Sequence, residues 1–331
     1  MPKQQNEQNR VIYDWLTFTT KIHSLPDVVD ILGLGNVKFQ PMKGRYCYQD
    51  RLNYSGINIM FNGREDMGVC VEFSGQGCRD FETYGNGDYN SIFELIVDNW
   101  NADPEKRDMN ITRLDVAYDD YIGLLDLNYL MSAAQKGEYV SRCKDIEVIY
   151  SNKGCSVCHG SRLQSSVYIR IYDKKLERGR DDLEHWVRCE MKLKDDSARG
   201  FIKLSGDIRK NYFDVLNNYL RYVIPSADSN KSRLLTAPQW LNFIESWETV
   251  SIFDKPGVNY NFDNLFGYVN NQLSGAIATY IDVLGVTQFM QNINRAQQQK
   301  SLNPKYQRII AQNESSSDGI INFLQERGAL K

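Results

Sequence analysis

Three segments of the chain alternate apolar and ionisable residues with a period of two, and this alternation constrains the fold more than any other feature. The segments are Ile111–Asp119, Val167–Asp173 and Trp186–Lys192. Because successive side chains of a β-strand point to opposite faces, each segment is predicted to be a strand with one apolar and one charged face. A sheet built from such strands can bury one face and gather charge on the other.

The charged faces hold side chains suited to phosphate chemistry. Converging carboxylates can bind a hard divalent cation, and arginines can bind phosphate oxygens in a bidentate manner. A phenol among them is a potential nucleophile, and the alternation does not choose between the two available. The alternative explanation is the wet outer face of a half-buried antiparallel sheet. The carboxylates are Asp115, Asp119 and Glu190, the guanidiniums are Arg113, Arg170 and Arg188, and the phenols are Tyr168 and Tyr172.

Periodicity along the rest of the chain predicts an α+β fold: a mostly antiparallel sheet with covering helices, followed by a helical C-terminal region. A linker predicted at Pro225–Ser232 divides the chain into a catalytic domain, residues 1–224, and a helical region, residues 225–331, for DNA recognition or self-association. The expected strands are Val11–Thr20, Arg45–Leu52, Gly56–Asn62, Met67–Ser74, Met109–Asp119, Asp145–Ser151, Ser166–Asp173 and His185–Lys194. The expected helices are Pro26–Leu34, Asn90–Asn101, Asp126–Gln135, Asp207–Val223, Pro238–Glu248, Leu265–Leu284 and Tyr306–Leu324.

The composition excludes several classes of protein. Hydrophobic residues make up 42% of the chain and charged residues 24%, which is ordinary globular usage and argues against a disordered or coiled-coil chain. No apolar run reaches the roughly 18–20 residues that a membrane span needs, and Met1–Arg10 contains no apolar signal-peptide core. The seven cysteines do not form the pattern of a disulfide framework. The protein is therefore expected in the cytoplasm.

Basic charge is concentrated in one block of a mildly acidic chain. The formal net charge is -3, yet residues 141–180 contain nine Lys and Arg against four Asp and Glu. Such a block is a local footprint for phosphate, although a solvated surface explains it equally well. Lys174, Lys175 and Arg178 directly follow the second phenol, where they could grip a DNA backbone.

The most specific motif runs from Arg170 to Glu177 and reads Arg-Ile-Tyr-Asp-Lys-Lys-Leu-Glu. Together with the segments around it, this motif resembles the Rep_trans family. These are the rolling-circle replication initiators of certain plasmids and filamentous phages, with related relaxases of integrative and conjugative elements. The resemblance covers roughly residues 11–250. The other segments that carry it are Tyr13–Leu16, Phe73–Arg79, Thr112–Asp115, Gly160–Arg162 and Arg188–Glu190.

The resemblance implies a site-specific DNA nickase and strand transferase with a tyrosine nucleophile. The tyrosine would form a covalent 5′-phosphotyrosine at an origin and the strand would later be resealed, which starts rolling-circle replication or conjugative transfer. A divalent ion, Mg²⁺ or Mn²⁺, is expected on acidic side chains, with arginines offsetting the charge on the phosphate. The expected catalytic residues are Tyr172, Arg170 and Arg188; the expected metal ligands are Asp115 and Glu190, with Asp14 and Glu72 in reserve; the expected DNA contacts are Arg113, Arg162, Lys174, Lys175, Arg178 and Lys192.

Two alternative functions stay open. One is a non-catalytic DNA-binding or regulatory protein of the same fold, and the other is a nuclease that activates water at the same metal. The expected partners are origin DNA, a second copy of the chain in a homodimer, and a host helicase. The helicase is expected to be a separate protein because this chain contains no Walker A motif.

The histidines separate this chain from rolling-circle nucleases that use a His-hydrophobe-His metal motif. His23, His159 and His185 are not paired in that way, which favours a carboxylate site. His185 begins an expected strand and is interpreted either as a ligand or base, or as a surface residue. The string Cys155–His159 has the form Cys-x-x-Cys-His, but it is expected to lie in a turn and to bind neither haem nor zinc.

Overall fold

The computed structural model describes residues 8–103, 106–152, 154–226, 230, 233–244, 266 and 269–299. The chain divides into two compact units, Met1–Asp254 and Lys255–Lys331. In the second unit, a π-helical turn at Val269–Leu273 leads into the helix Ser274–Gln299. Gly285 interrupts this helix with a φ of 79°, a left-handed backbone conformation that glycine adopts without steric cost.

The strands of the first unit form a ten-stranded antiparallel sheet and a small two-stranded sheet. They are β1 (Arg10–Thr20), β2 (Gln40–Lys43), β3 (Asp50–Tyr54), β4 (Ile57–Phe61), β5 (Val69–Phe73), β6 (Met109–Asp120), β7 (Tyr139–Ser141), β8 (Ile146–Ile149), β9 (Ser156–His159), β10 (Val167–Asp173), β11 (Val187–Lys194) and β12 (Leu220–Tyr222). The order in the large sheet is β2-β3-β4-β5-β1-β6-β11-β10-β9-β8, and β7 pairs with β12. β6 and β11 are therefore neighbours near its centre, with β10 beside β11.

The helices of the first unit pack mainly on the apolar face of the large sheet. They are α1 (Leu25–Ile31), α2 (Gly75–Tyr84), α3 (Tyr89–Ala102), α4 (Leu127–Gln135), α5 (Lys174–Arg178), α6 (Asp195–Ile202), α7 (Ile208–Tyr219) and α8 (Pro238–Ile244). Leu114, Ile169 and Met191 from the sheet are fully buried in one core with Phe201 of α6 and Phe213 of α7. Fully burying such a side chain stabilises the fold by about 1.5–3 kcal/mol.

The opposite face of the central strands carries the charged residues. The strand register pairs Arg170 of β10 with Glu190 of β11, and Lys192 of β11 with Asp115 of β6. The period-two alternation therefore brings these side chains to one face of the sheet. The predicted α+β class, with a mostly antiparallel sheet and covering helices, is confirmed.

Two predicted elements have different boundaries in the structure. The predicted strand Arg45–Leu52 is interrupted, because Tyr46 and Cys47 adopt left-handed backbone conformations in a loop between β2 and β3. The helix predicted over Asp207–Val223 ends at Tyr219, and the chain continues as β12. Pairing with β7 lets β12 bury its apolar side chains as a strand.

Two further predictions for local structure were wrong or incomplete. The Cys-x-x-Cys-His string does not lie in a turn: four of its five residues form β9, where Cys158 and His159 are fully buried. The helix α2 was not predicted, because glycines lower helix propensity. Gly77 is needed there since a Cβ atom would lie 2.2 Å from the backbone oxygen of Gly56.

The C-terminal predictions are only partly covered by the described residues. The predicted helix Tyr306–Leu324 lies outside them, as do residues 265, 267 and 268 of the predicted helix Leu265–Leu284 and residues 245–248 of the predicted helix Pro238–Glu248. The predicted domain division at residues 224 and 225 differs from the division between the compact units, which falls after Asp254. The reason is α8, whose Trp240 and Phe243 are buried in the core of the first unit.

None of the helices in the described part of the chain is long and apolar enough to cross a membrane.

Candidate active site

The phenol of Tyr172 lies at the centre of the charged face. Its hydroxyl donates a hydrogen bond to Oε2 of Glu190 at 3.1 Å and accepts one from Nζ of Lys174 at 3.1 Å. The guanidinium carbon of Arg170 lies 4.0 Å from the centre of the ring. Only 2% of Tyr172 is exposed, so the hydroxyl meets charged side chains in a largely desolvated position.

A turn directly after Tyr172 brings Lys174 to the phenol. Asp173 caps α5, its side chain accepting a hydrogen bond from the backbone N–H of Leu176 at 2.8 Å. The backbone N–H groups of Lys174 and Lys175 both donate to the carbonyl of Trp186 at 3.0 Å, which fixes this turn against the start of β11. The sequence predicts Lys174 as a DNA contact, whereas the structure buries it to 4% exposure beneath the first turn of α5.

The electrostatic surroundings shift the pKa values of both groups. Burial raises the pKa of the Tyr172 phenol, and the neighbouring Glu190 carboxylate raises it further. Burial also lowers the pKa of Lys174, and the nearby charge of Arg188 acts in the same direction. Glu177 opposes this shift because its carboxylate forms an ion pair with Lys174.

The two predicted metal ligands lie on adjacent strands of the same face. Glu190 is opposite Ala117, two residues along β6 from Asp115. Burial raises the pKa of Glu190 to about 7, and the negative charges of Asp115 and Asp14 contribute. Burial likewise raises the pKa of Asp115, although Arg113 hydrogen-bonds to it at 2.9 Å. The acidic groups are therefore close enough to repel one another.

These acidic side chains suit an ion such as Mg²⁺, which completes its coordination with water and substrate, better than an ion that is bound by protein ligands alone. In the described residues, no cluster of three or more His, Cys, Asp and Glu side chains is arranged to hold a metal. Mg²⁺ is usually bound by one or two carboxylates together with water and substrate phosphate. Asp115 and Glu190 supply two carboxylates on one face, and a cation between them would offset the negative charges that add to the effect of burial on the pKa of Glu190.

Arg188 is held by two carboxylates on the same face. Its Nε and Nη2 donate to Asp119 at 2.7 and 2.9 Å, and its Nη1 lies 2.9 Å from Oδ2 of Asp14. Asp14 occupies a bulge of β1, where the register with β6 shifts between Tyr13 and Trp15. Although burial works to raise it, the hydrogen bonds and charge of Arg188 hold the pKa of Asp119 below its ordinary value. Arg188 therefore has its donors engaged within the protein.

An open cavity of about 500 Å³ on the charged face is lined by Arg170 and Glu190, which contact Tyr172 from β10 and β11. Its lining combines four cationic side chains with the phenol of Tyr168 and with the carboxylates of Asp145, Glu147 and Glu190. A second cavity, of about 290 Å³, is lined by Lys174, Arg188 and the exposed Arg178. Lys175 is partly buried and donates to the carbonyl of Glu184 at 3.4 Å. The first cavity contains the predicted DNA contacts Arg113, Arg162 and Lys192, and the predicted catalytic Arg170.

Other candidate residues lie apart from this arrangement. Glu72, on β5, accepts hydrogen bonds from Asn58 at 3.4 Å and Tyr46 at 3.3 Å, with β1 separating its strand from that of Asp115. His185 hydrogen-bonds through Nε2 to Oδ2 of Asp120 at 3.1 Å. Asp120 in turn accepts the backbone N–H of Leu125 at 2.7 Å, so His185 takes part in fixing a loop.

The arrangement can be compared with known proteins. A family model described as replication initiation factor (Rep_trans) matches residues 109–293, and one described as rolling circle replication initiation protein N-terminal domain matches residues 10–97. The chain is 25% identical over 262 residues to a putative DNA relaxase NicK of Bacillus subtilis (strain 168), with 73% of each protein covered. It is 29% identical to a rolling circle replication initiator protein from Geobacillus stearothermophilus of known structure, with a TM-score of 0.64, covering 73% of this chain and 99% of that one.

Proposed function

The chain belongs to the Rep_trans family of replication initiation factors, and we propose that it nicks one strand of origin DNA by forming a covalent 5′-phosphotyrosine at Tyr172. The family and the relatives indicate a rolling-circle replication initiator or relaxase, a protein that nicks DNA. The observation that carries the proposal is the hydroxyl of Tyr172, which contacts Glu190 and Lys174 at 3.1 Å each.

The chemistry is a transfer of one phosphodiester to the phenol. The Tyr172 oxygen attacks the scissile phosphorus, the phenol loses its proton, and the 3′-oxygen of the upstream nucleotide leaves. A phenol with an ordinary pKa of about 10 is a weak nucleophile near neutral pH, so the surrounding charge must stabilise its ionised form. Because the phosphotyrosine preserves the energy of the broken phosphodiester, a DNA 3′-hydroxyl can reverse the reaction without ATP.

Proteins of this kind generally use a divalent metal ion. In this chain Asp115 and Glu190 would hold Mg²⁺ or Mn²⁺, with Asp14 in reserve, and the ion would supply positive charge to polarise the scissile phosphate. Arg170 lines the open cavity beside the phenol and would offset the charge on the phosphate oxygens. Arg188 would act by keeping Asp14 and Asp119 in place, since its donors already contact them.

Single-stranded DNA would pass through the cavity on the charged face. Arg113, Arg162 and Lys192 line it and would contact phosphates, while Lys175 and Arg178 would contact the strand beyond Tyr172. Phosphate contacts position the strand without reading its sequence. Residues 1–224 together with α8, which packs into their core, would form the catalytic domain, and the rest of residues 225–331 would serve origin recognition or self-association as a homodimer. A separate host helicase would unwind the duplex, in the cytoplasm.

The proposal is tested with supercoiled DNA carrying the origin of the chain's own genetic element, in the presence of Mg²⁺ or Mn²⁺. We expect nicked DNA with protein attached to its 5′ end, seen as a retarded band on a denaturing gel. Tyr172→Phe is expected to abolish the band and to leave duplex binding within a few-fold. Tyr168→Phe is the matched control, because it removes a phenol four residues away on the same face.

Each of the other possible results would support a different nucleophile or a different function. Adduct formation by Tyr172→Phe would refute the assignment of the nucleophile. Nicked DNA that migrates without protein would identify a nuclease that activates water, and DNA binding without any nick would identify a non-catalytic origin-binding protein.

A further inference from the structure

The position of Lys174 is not that of a residue that contacts the DNA backbone. It is 4% exposed, and its ammonium lies 3.1 Å from the oxygen of Tyr172 and 5.2 Å from the centre of the ring. Its other partner is the carboxylate of Glu177, three residues along α5. We propose that Lys174 is a catalytic residue whose ammonium stabilises the Tyr172 phenolate during both nicking and resealing, an inference that rests on the proposed function.

The fold holds this ammonium in place through several contacts. A buried cation is costly unless it is paired, and Glu177 supplies the pairing charge. The Asp173 cap and the hydrogen bonds from two backbone N–H groups to Trp186 fix the first turn of α5. A donor held in position before the reaction needs little reorganisation when charge develops on the phenol. The geometry is therefore that of a preorganised oxyanion donor.

Lys174 keeps its proton throughout the proposed step. The bond between the Tyr172 oxygen and phosphorus forms while the bond between phosphorus and the 3′-oxygen breaks. The phenolic proton leaves along its hydrogen bond to Glu190, and the departing 3′-oxygen takes a proton from water. In an in-line displacement the attacking and leaving oxygens lie on opposite sides of phosphorus. Lys174 contacts the attacking oxygen, so it stabilises the nucleophile and not the leaving group.

This position has a consequence for the reverse reaction. When a 3′-hydroxyl reseals the strand, the Tyr172 oxygen becomes the leaving group, and the same ammonium stabilises its departure. Loss of Lys174 should therefore slow nicking and resealing by similar factors and leave the equilibrium fraction of adduct unchanged. Removal of a single oxyanion donor typically costs on the order of 10²–10³-fold in rate.

The test compares Lys174→Ala with Lys136→Ala, which removes an exposed lysine at the end of α4, in the full chain. The substrate is a single-stranded oligonucleotide with the origin nick sequence, labelled at its 3′ end, with Mg²⁺ or Mn²⁺ present. Adduct formation at saturating DNA gives the nicking rate, and addition of excess unlabelled strand with a 3′-hydroxyl gives the resealing rate. DNA affinity is measured by fluorescence anisotropy with the same substitutions in Tyr172→Phe, where no chemistry occurs.

We expect both rates of Lys174→Ala to fall on the order of 10²–10³-fold with DNA affinity within about two-fold, and those of Lys136→Ala to change little. Methylammonium added to the reaction should restore part of the lost rate to Lys174→Ala alone. A structural role would give no such rescue. Lys174→Arg, which keeps the charge, should retain more activity than Lys174→Met, which provides a second comparison if the alanine variant does not fold.

Two results would overturn the proposal, and both differ from failure of the proposed function. If Lys174→Ala nicks at the normal rate once DNA is saturating, but binds DNA more weakly and with a smaller dependence on salt, Lys174 is a phosphate contact. If it is slow and methylammonium does not rescue it, the role is structural. If the protein with its natural sequence forms no adduct, the proposed function itself fails.

Discussion

At the scale of single residues, Tyr172 is buried among charged side chains and not in the apolar core. Its ring lies under the Arg170 guanidinium, and its hydroxyl bridges Glu190 and Lys174. The apolar core begins on the other face of the same strand, with Ile169 and Ile171. Low exposure of the phenol would shield a phosphotyrosine bond from water, which favours resealing by a DNA 3′-hydroxyl over hydrolysis.

The raised pKa of Glu190 predicts how the stability of the protein depends on pH. Its pKa in the folded protein is about 7, above the ordinary value of 4.5, so the folded state binds this proton more tightly than the unfolded state. Binding of this proton therefore stabilises the folded protein fully below about pH 4.5, and the stabilisation is lost as pH rises through 7. Glu190→Gln removes the repelled charge, and we expect its free energy of unfolding at pH 8 to exceed that of the unsubstituted protein by up to about 3 kcal/mol.

Urea unfolding at pH 4.5, 6, 7 and 8 in metal-free buffer checks this prediction. The exposed Glu94→Gln variant is the control and should follow the unsubstituted protein at every pH. Parallel curves for Glu190→Gln and the unsubstituted protein would contradict the argument.

Arg188 gives a second prediction at this scale. Arg188→Met would leave the buried Asp119 and the partly buried Asp14 without their shared cation. Removing one member of a buried ion pair typically costs about 3–5 kcal/mol, because the remaining charge is uncompensated. Equilibrium unfolding in urea measures the loss. Arg178→Met, at an exposed position of α5, should change stability by less than about 0.5 kcal/mol, and an equal loss in both variants would refute the role given to Arg188.

At the scale of elements, the short helix α5 places the ammonium of Lys174 against the hydroxyl of Tyr172. It begins at the residue that follows β10 and ends at Gly179, whose φ of 61° lies in the left-handed region. A helix of five residues has little stability of its own, so its cap and its tertiary contacts decide whether it forms. The geometry around Tyr172 therefore depends on Asp173.

Asp173→Ala tests that dependence against a matched cap. Asp207 caps α7 in the same way, its side chain accepting the N–H of Lys210 at 2.8 Å. Loss of either cap should cost about 1 kcal/mol of folding stability. Only Asp173→Ala should also slow adduct formation at saturating DNA, because only α5 carries Lys174. Similar rates for the two variants would show that the α5 cap does not position the active site.

The sequence predicts strands and helices well where the spacing of apolar residues is strongly periodic. It predicts them poorly where contacts with distant residues determine the local structure. The alternation in β6, β10 and β11 is local, and it was sufficient to place Asp115, Arg170 and Glu190 on one face. The helix α2 depends on contact between its glycine and a distant turn, which no local pattern reports. Lys174 contacts Tyr172 because β10 ends at Asp173 and α5 begins at the next residue. An Asp at the end of a predicted strand is a signal for a helix N-cap, and this signal could have indicated the turn.

At the scale of the whole molecule, the large sheet separates two kinds of surface. One face joins the helices in the apolar core, and the other gathers the cations that line the open cavity. The chain as a whole has a formal net charge of -3, so attraction for DNA must come from this local arrangement.

The salt dependence of DNA affinity tests this arrangement. If Lys192 contacts a phosphate, Lys192→Ala should reduce the slope of log affinity against log salt by about 1, equally for all sequences. Lys136→Ala removes an exposed lysine at the end of α4, on the helical side, and should leave the slope unchanged. Both variants are measured by anisotropy in the Tyr172→Phe background. Equal slopes for the two would exclude Lys192 from the path of the strand.

The sheet order also determines when the site can first exist during synthesis of the chain. β1 lies between β5 and β6, and Arg188 joins Asp14 to Asp119 across β11, β6 and β1. A ribosome must therefore release almost two hundred residues before the nucleophile meets its partners. Nascent chains, and proteins truncated by premature stop codons ahead of β11, would lack the charged residues of β11 that surround Tyr172.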